Sequence, residues 1–286
     1  MKLRAQSATC IVPATTANLG SGFDTLGVAL QWYNRVRIDL SGRRGASPMA
    51  QEAASLFWAT TRIEPRPFGV QIAGDIPPAR GLGSSVTIRL AVLMGLNALF
   101  ESPLTRLQLF TLCTQLEGHP DNAAPACFGG FAVAWREGVL RFPVSSKLRF
   151  IILVPSFEMP TTQARAVLPE RISFPAAVTA VQNSSRITAA FASKAYQPLK
   201  GAFRDPLHQP YRLNLMPFLD DAIMAGESAG ALGGFLSGSG SSIACLTLSN
   251  PEAVADAMAQ AAARHSVKSQ TFVCNADNNG ARVSLR

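Results

Sequence analysis

Apolar residues fall along this chain in two kinds of run. Short stretches rich in β-branched and aromatic residues, bounded by turn residues, predict strands: "VRIDL" at residues 36–40, "FGVQIAGDIP" from Phe68, "FAVAWREGVLRFPV" from Phe131 and "LRFIILVPS" from Leu148. Longer runs predict helices. Residues 86–100, rich in Leu, Ala and Met, have the length of a helix buried on most sides, and "PLTRLQLFTLCTQLEG" reads as a second, opened by Pro103 and stopped by Gly118. Three more are predicted, near residues 176–193, over 217–229 and over 251–265. Strands and helices alternate irregularly, which gives a mixed α/β or α+β class. No internal repeat or low-complexity tract appears. The best candidate for a domain boundary is residues 144–147, between two strand-like runs. Residues 43–51, with Gly, Ser and Pro, read as a surface loop.

Composition narrows the class of protein. With 286 residues, 48% of them apolar and 15% charged, the chain can bury a full core in one large domain or two packed ones. The formal charge of +8 suits nucleic acid, a membrane surface or an anionic small molecule. The basic residues are scattered, however, with the densest cluster at "GRRG" (42–45) and no basic stripe interleaved with aromatics. That argues against nucleic acid and for a phosphorylated ligand. The five cysteines are odd in number, far apart and without C-x-x-C, as expected of reduced thiols in a cytosolic protein. The first twenty residues lack the apolar core of a signal peptide, and no apolar stretch is long enough to span a bilayer. A soluble, cytoplasmic protein is the expectation.

Several chemistries are excluded by pattern. G-x-G occurs at Gly20, Gly81 and Gly238, but Thr25, Val86 and Ile243 stand where the dinucleotide fingerprint needs its third glycine. Neither a Walker loop nor the G-x-S-x-G of a nucleophile elbow is present. Three histidines without clustered cysteines do not make a zinc site. What stands out is "PPARGLGSSVTIRL" (77–90), a Gly/Ser-rich turn without lysine ahead of a long apolar run. Such a turn offers the free N–H groups of a helix start to an anion, or is a plain loop capped by Ser84 or Ser85. Taken alone, Glu117 also reads as a solvated helix end, and Arg165 and Arg212 as surface ion pairs.

Four motifs in order decide between these readings. "PATTANLGSGFDTLGVAL" (13–30), "PPARGLGSS", "LEGHPDNAAPACFGG" (116–130) and "GALGGFLSGSGSS" (230–242) together resemble the GHMP small-molecule kinases, and "NLGSGFDTLG" and "EGHPDN" are most similar to the homoserine kinases among them. The resemblance spans essentially the whole chain. It implies a two-domain α+β fold: a β-α-β domain carrying the phosphate loop in residues 1–145, and a ferredoxin-like domain in 146–286. It implies that Pro78, Ala79, Arg80, Gly81, Leu82, Gly83, Ser84, Ser85 and Val86 wrap the phosphates of ATP. Ser85, in preference to Ser84, and Glu117 would hold Mg2+, and Glu117, Ser85 and Asn122 would serve the transfer itself.

The resemblance also implies a substrate pocket for L-homoserine, phosphorylated on its side-chain hydroxyl in threonine biosynthesis. Asp24, with Asn18 beside it, would take the ammonium, Arg165 and Arg212 the carboxylate, and His119 and Asn122 the hydroxyl end. No catalytic base is implied, and Asp121 is given no such role. Val86 and Thr87 stand where relatives carry small alanines, Arg89 follows on the helix, and Ser241 replaces a proline in the last motif. Narrowing of the loop by Val86 and a freer backbone at Ser241 are expected to affect ATP affinity rather than reaction type. The alternatives are a GHMP kinase for another small alcohol such as mevalonate, or a non-catalytic regulatory member. A homodimer is implied by the family alone.

Overall fold

The computed structural model describes residues 3–41 and 45–286, so most of the basic cluster at 42–45 lies outside the described residues. Two antiparallel sheets organise the chain. The first is built from β1 (Ser7–Ala17) and β2 (Leu26–Asp39), followed by α1 (Pro48–Thr61), β3 (Gly69–Ala73), α2 (Ser84–Leu99), α3 (Arg106–Glu117), α4 (Ala123–Phe128) and the hairpin β4 (Phe131–Trp135) and β5 (Gly138–Phe142). The second half runs β6 (Arg149–Pro155), α5 (Thr161–Ala166), α6 (Phe174–Ser193), α7 (Gln209–Arg212), α8 (Leu219–Ser228), β7 (Gly233–Leu236), β8 (Ile243–Thr247), α9 (Pro251–Arg264) and β9 (Ser269–Cys274), and then β10 (Arg282–Leu285) returns to pair with β1. The first sheet is ordered β10-β1-β2-β4-β5, with β3 also on β2; the second is β7-β8-β6-β9. That second order is the ferredoxin-like arrangement, in which β6 and β8 pair at the centre.

Local chemistry accounts for most element ends. Thr105 and Gln108 form a reciprocal capping box at the start of α3, and Gly118 (φ 84°) ends it. The helix therefore begins at Arg106, and Pro103 lies ahead of its cap. Ser47 caps α1 with Pro48 in its first turn, so part of the Gly/Ser/Pro-containing segment expected as loop is a helix start. The run from Phe131, expected as strand from its β-branched and aromatic content, is a hairpin with its turn at Arg136 and Glu137.

Three apolar layers hold the sheets. Helices α1 to α4 pack on one face of the first sheet around Phe57, Leu90, Leu96 and Phe110. The central layer is shared: Leu26 and Leu30 of β2, with Leu19 from the turn before it, meet Phe150, Ile152, Phe191 and Phe235, and Phe131 stacks on Phe191 with centroids 4.2 Å apart. The far layer places Ile151 and Leu153 against α8 and α9. Strand β6 thus serves two layers by its two-residue alternation, which is why "FIILV" is apolar throughout. Among the described residues, no helix is long and apolar enough to cross a membrane.

All five cysteines are buried and free, and burial pushes the thiols of Cys10 up to about 12 and of Cys127 and Cys274 up to about 11. Titration with a thiol reagent at pH 8 is expected to modify none of them within minutes in the native protein and all five after unfolding in guanidinium.

Candidate active site

The glycine-rich turn is held from outside by its own carbonyls. Ala79 O accepts from Met159 N (2.9 Å), Arg80 O from Ser242 N (3.1 Å), Gly81 O from Ser237 Oγ (2.7 Å) and Leu82 O from Thr15 N (3.1 Å). Among the described residues, no protein acceptor receives the N–H groups of Ala79 to Val86, and no side chain caps α2, whose N-cap is Gly83. A set of amides and the positive end of a 16-residue helix are left for an anion. Glycine is required here: at φ 70° a Cβ on Gly81 would meet Ser237 O at 2.0 Å, and at φ 65° one on Gly83 would meet Thr15 Oγ1 at 2.1 Å.

Beside this turn, Ser85 Oγ donates to Glu117 Oε2 at 2.8 Å. Ser85 is in the first turn of α2, and Glu117 is the last residue of α3 before Gly118 turns the chain away. The opposite carboxylate oxygen, Oε1, accepts from Arg89 Nη1 at 2.8 Å. Two hard oxygen donors next to an uncapped helix start are a donor set that fits Mg2+, which keeps few protein ligands and completes its shell with phosphate and water.

The other end of the cleft is zwitterionic. Arg165 Nη2 and Nη1 donate to Asp24 Oδ1 and Oδ2 at 2.6 and 3.1 Å. Asp24 N is received by Asn18 Oδ1 (3.0 Å), while Asn18 Nδ2 donates to Gly238 O (2.9 Å). Phe23 lies under both guanidinium groups, with Arg165 and Arg212 at 5.3 and 5.8 Å from its centroid. Arg212 is almost fully buried. It donates to Ala164 O (2.9 Å), Gly238 O (3.2 Å) and His208 Nδ1 (2.9 Å), and burial, with Arg165 nearby, pulls it down to about 10. His208, buried and well below its ordinary pKa, is the neutral acceptor that this contact needs. Nearby, His119 Nδ1 pairs with Asp121 Oδ1 at 2.7 Å. Burial works against its charged form, but the hydrogen bond and charge of Asp121, with Asp24 beyond, outweigh it and raise the pKa. Asn122 is set by Thr15, whose hydroxyl donates to Oδ1 at 2.6 Å, and by Asp121, which receives its side-chain amide.

The chain is similar to known proteins over nearly its whole length. The family model for the GHMP kinase N-terminal domain matches residues 49–130, and that for the C-terminal domain matches 188–265. Homoserine kinase of Aquifex aeolicus is 36% identical over 95% of this chain and 98% of its own length, and one from Thermus thermophilus is 37% identical over 85% and 87%. The chain belongs to the GHMP kinases, in the homoserine kinase branch. The crystal structure of homoserine kinase from Cytophaga hutchinsonii superposes with a TM-score of 0.89 at 26% identity over 99% of both chains. A mevalonate kinase structure, 14% identical with a TM-score of 0.68, shares the fold.

In this kinase a single cleft of about 500 Å³ is lined by Asn18, Asp24, Glu117, His119, Asn122, Arg165 and Arg212 together with residues 79–86. Of the residues expected at the site, Pro78 alone is outside that lining; its carbonyl receives Arg80 Nη1 at 3.3 Å. The Arg80 side chain, with Nε on Pro155 O and Nη2 on Ser156 O, is a strut to the end of β6. Asp24 and Arg165, expected as separate partners of a substrate, are bonded to each other. Val86 is only 1% exposed and packs in the first core, and Thr87 Oγ1 donates to Ser84 O while accepting from Asn34. Thr87 is no part of the cleft lining, while Val86 both lines the cleft and packs into the core. Ser241 Oγ is fixed on Phe157 O at 2.7 Å, so its loop is tied down without proline.

Sequence reasoning missed Thr15, Phe23 and His208. Phe23 had a signal in its place beside Asp24, and His208 in standing four residues before Arg212. NMR titration is expected to show His119 protonating above the ordinary histidine range and His208 staying neutral through neutral pH. In Asp121→Asn the His119 pKa should drop below the ordinary value of about 6.5, because burial is then the largest influence left.

Proposed function

We propose that this kinase transfers the terminal phosphoryl group of ATP to the side-chain hydroxyl of L-homoserine, giving O-phospho-L-homoserine and ADP, a step toward threonine. The observation that carries this reading is the Asp24–Arg165 pair in the same cleft as the uncapped start of α2. An α-amino acid has an ammonium and a carboxylate on one carbon, so a side-by-side carboxylate and guanidinium match it: each charge of the substrate takes one partner, and one ion pair is exchanged for two. Mevalonate, which lacks an ammonium, would leave Asp24 without a role.

In this reading the N–H groups of residues 79–86 hold the phosphates of ATP. Ser85 Oγ and Glu117 Oε2 hold Mg2+, which supplies charge neutralisation on the transferring group. Asp24 and Asn18 receive the ammonium, Arg165 the carboxylate with Arg212 behind it, and His119 and Asn122 stand at the hydroxyl end. Asp121 is buried and its Oδ1 accepts from His119 and from both nitrogens of Asn122, so it braces those two residues, and it is given no role as a base. Transfer then rests on alignment of the hydroxyl with the terminal phosphorus and on charge neutralisation.

Coupled ADP release with Mg-ATP is expected to respond to L-homoserine and not to mevalonate, and to fall by about 100-fold or more in Glu117→Gln and Ser85→Ala. Turnover with mevalonate in place of homoserine would overturn the substrate assignment. Arg165→Ala should raise the homoserine KM by about tenfold to a few hundredfold, the value of a charge-assisted contact, with the ATP KM kept. An unchanged homoserine KM would remove Arg165 from the pocket.

A further inference from the structure

Helix α2 carries Arg89 four residues after Ser85, on the same face, and both side chains reach one carboxylate. Ser85 Oγ donates to Oε2 of Glu117 and Arg89 Nη1 to Oε1, each at 2.8 Å. Arg89 is itself fixed: Nη1 also donates to Leu116 O at 2.7 Å, and Nη2 to Glu52 Oε2 of α1 at 2.8 Å. The inner pair is well covered, with Glu117 at 8% and Arg89 at 16% side-chain exposure, while Glu52 at 54% stays in water. The guanidinium fork therefore grips the end of α3 by a carbonyl and a carboxylate together and is steadied from behind by a third helix.

We propose that Arg89 is a positioning residue for the metal ligand: it holds Oε1 of Glu117 so that Oε2 alone faces the cation, and its charge keeps the nucleotide-free site weak for divalent cations. This rests on the reading of Glu117 as a Mg2+ ligand. A carboxylate without the arginine is free to turn both oxygens toward a cation, which suits tight binding. It does not suit the octahedral shell in which phosphate and water must keep their places. The cation then enters with the nucleotide, whose phosphates supply the negative charge that Glu117 shares with Arg89. Binding of free metal and turnover are therefore expected to move in opposite directions when the arginine is lost, whereas loss of a purely structural contact would weaken both.

The probe is Mn2+, followed by electron paramagnetic resonance with nucleotide-free protein, alongside steady-state kinetics. Arg89→Met is expected to bind free Mn2+ about tenfold more tightly and to lose about tenfold to a hundredfold in kcat, with the homoserine KM changed by less than about threefold. Unchanged or weaker Mn2+ binding in a variant that retains the wild-type melting temperature would overturn the proposal. Arg89→Lys keeps the charge without the fork, so its Mn2+ affinity should stay near that of the wild type while kcat remains reduced. Full kcat in the lysine variant would overturn the orienting role, and that result does not depend on the methionine variant folding. Glu117→Gln separates the two levels: undiminished Mn2+ binding in the presence of ADP would sink the ligand assignment itself, whatever the arginine variants show.

Discussion

The cleft depends on one constraint, the engagement of four successive carbonyls of the glycine-rich turn by donors from elsewhere in the fold. Residues 79–82 point their acceptors at Met159, Ser242, Ser237 and Thr15. A peptide unit whose oxygen is tied outward has its N–H directed the other way, and a buried carbonyl left unpaired would cost free energy. The amides that face the cleft are thus placed by contacts made behind them. Those contacts come from β1, from the segment after β6 and from the loop between β7 and β8, so both sheets must be in register before the turn has its shape. The central apolar layer, with Phe131 stacked on Phe191, supplies that register.

Charge follows the same logic. The main ionic groups at the cleft have protein partners: Asp24 with Arg165, Glu117 with Arg89, His119 with Asp121. Covered charges are costly alone, and pairing keeps the unliganded site stable. The pairs differ in cover. Asp24 and Arg165 are roughly one-third exposed and open to exchange, whereas Arg89 and Glu117 are nearly closed off and act as a fixed bracket. A ligand with an ammonium and a carboxylate on one carbon can take over the first pair without stranding either member. Phe23 keeps the two arginines of the pocket on one apolar face, and neutral His208 spares Arg212 a second positive neighbour.

The features legible in the chain are those whose cause is local. The glycines at 81 and 83, the helix that follows them, the stop at Gly118 and the apolar run of β6 are each dictated by residues within a few positions. The ordered motifs then imply one pocket, and all but Pro78 of the residues expected at it line the cleft. Strand β1 is missing from the expected elements, because the pairing of "SATCIVPATTA" with β2 and β10 depends on partners as distant as Leu285. Nothing near Arg80 in the sequence signals that its side chain finds the carbonyls of Pro78, Pro155 and Ser156.

By itself, the sequence determined the α+β class, the five longer helices other than α1 and the glycine-rich turn, because hydrophobic period and backbone permissiveness act over one or two turns of chain, while the set of site residues followed from the resemblance of its ordered motifs to a known family. Only the tertiary structure decided which charges meet. That Arg165 lies on Asp24, 141 residues away, that Arg89 grips Glu117 across 28, and that Ser237 ties down Gly81 across 156 are outcomes of sheet order and helix packing. Such pairings depend on ångström distances between elements that no short stretch of residues encodes.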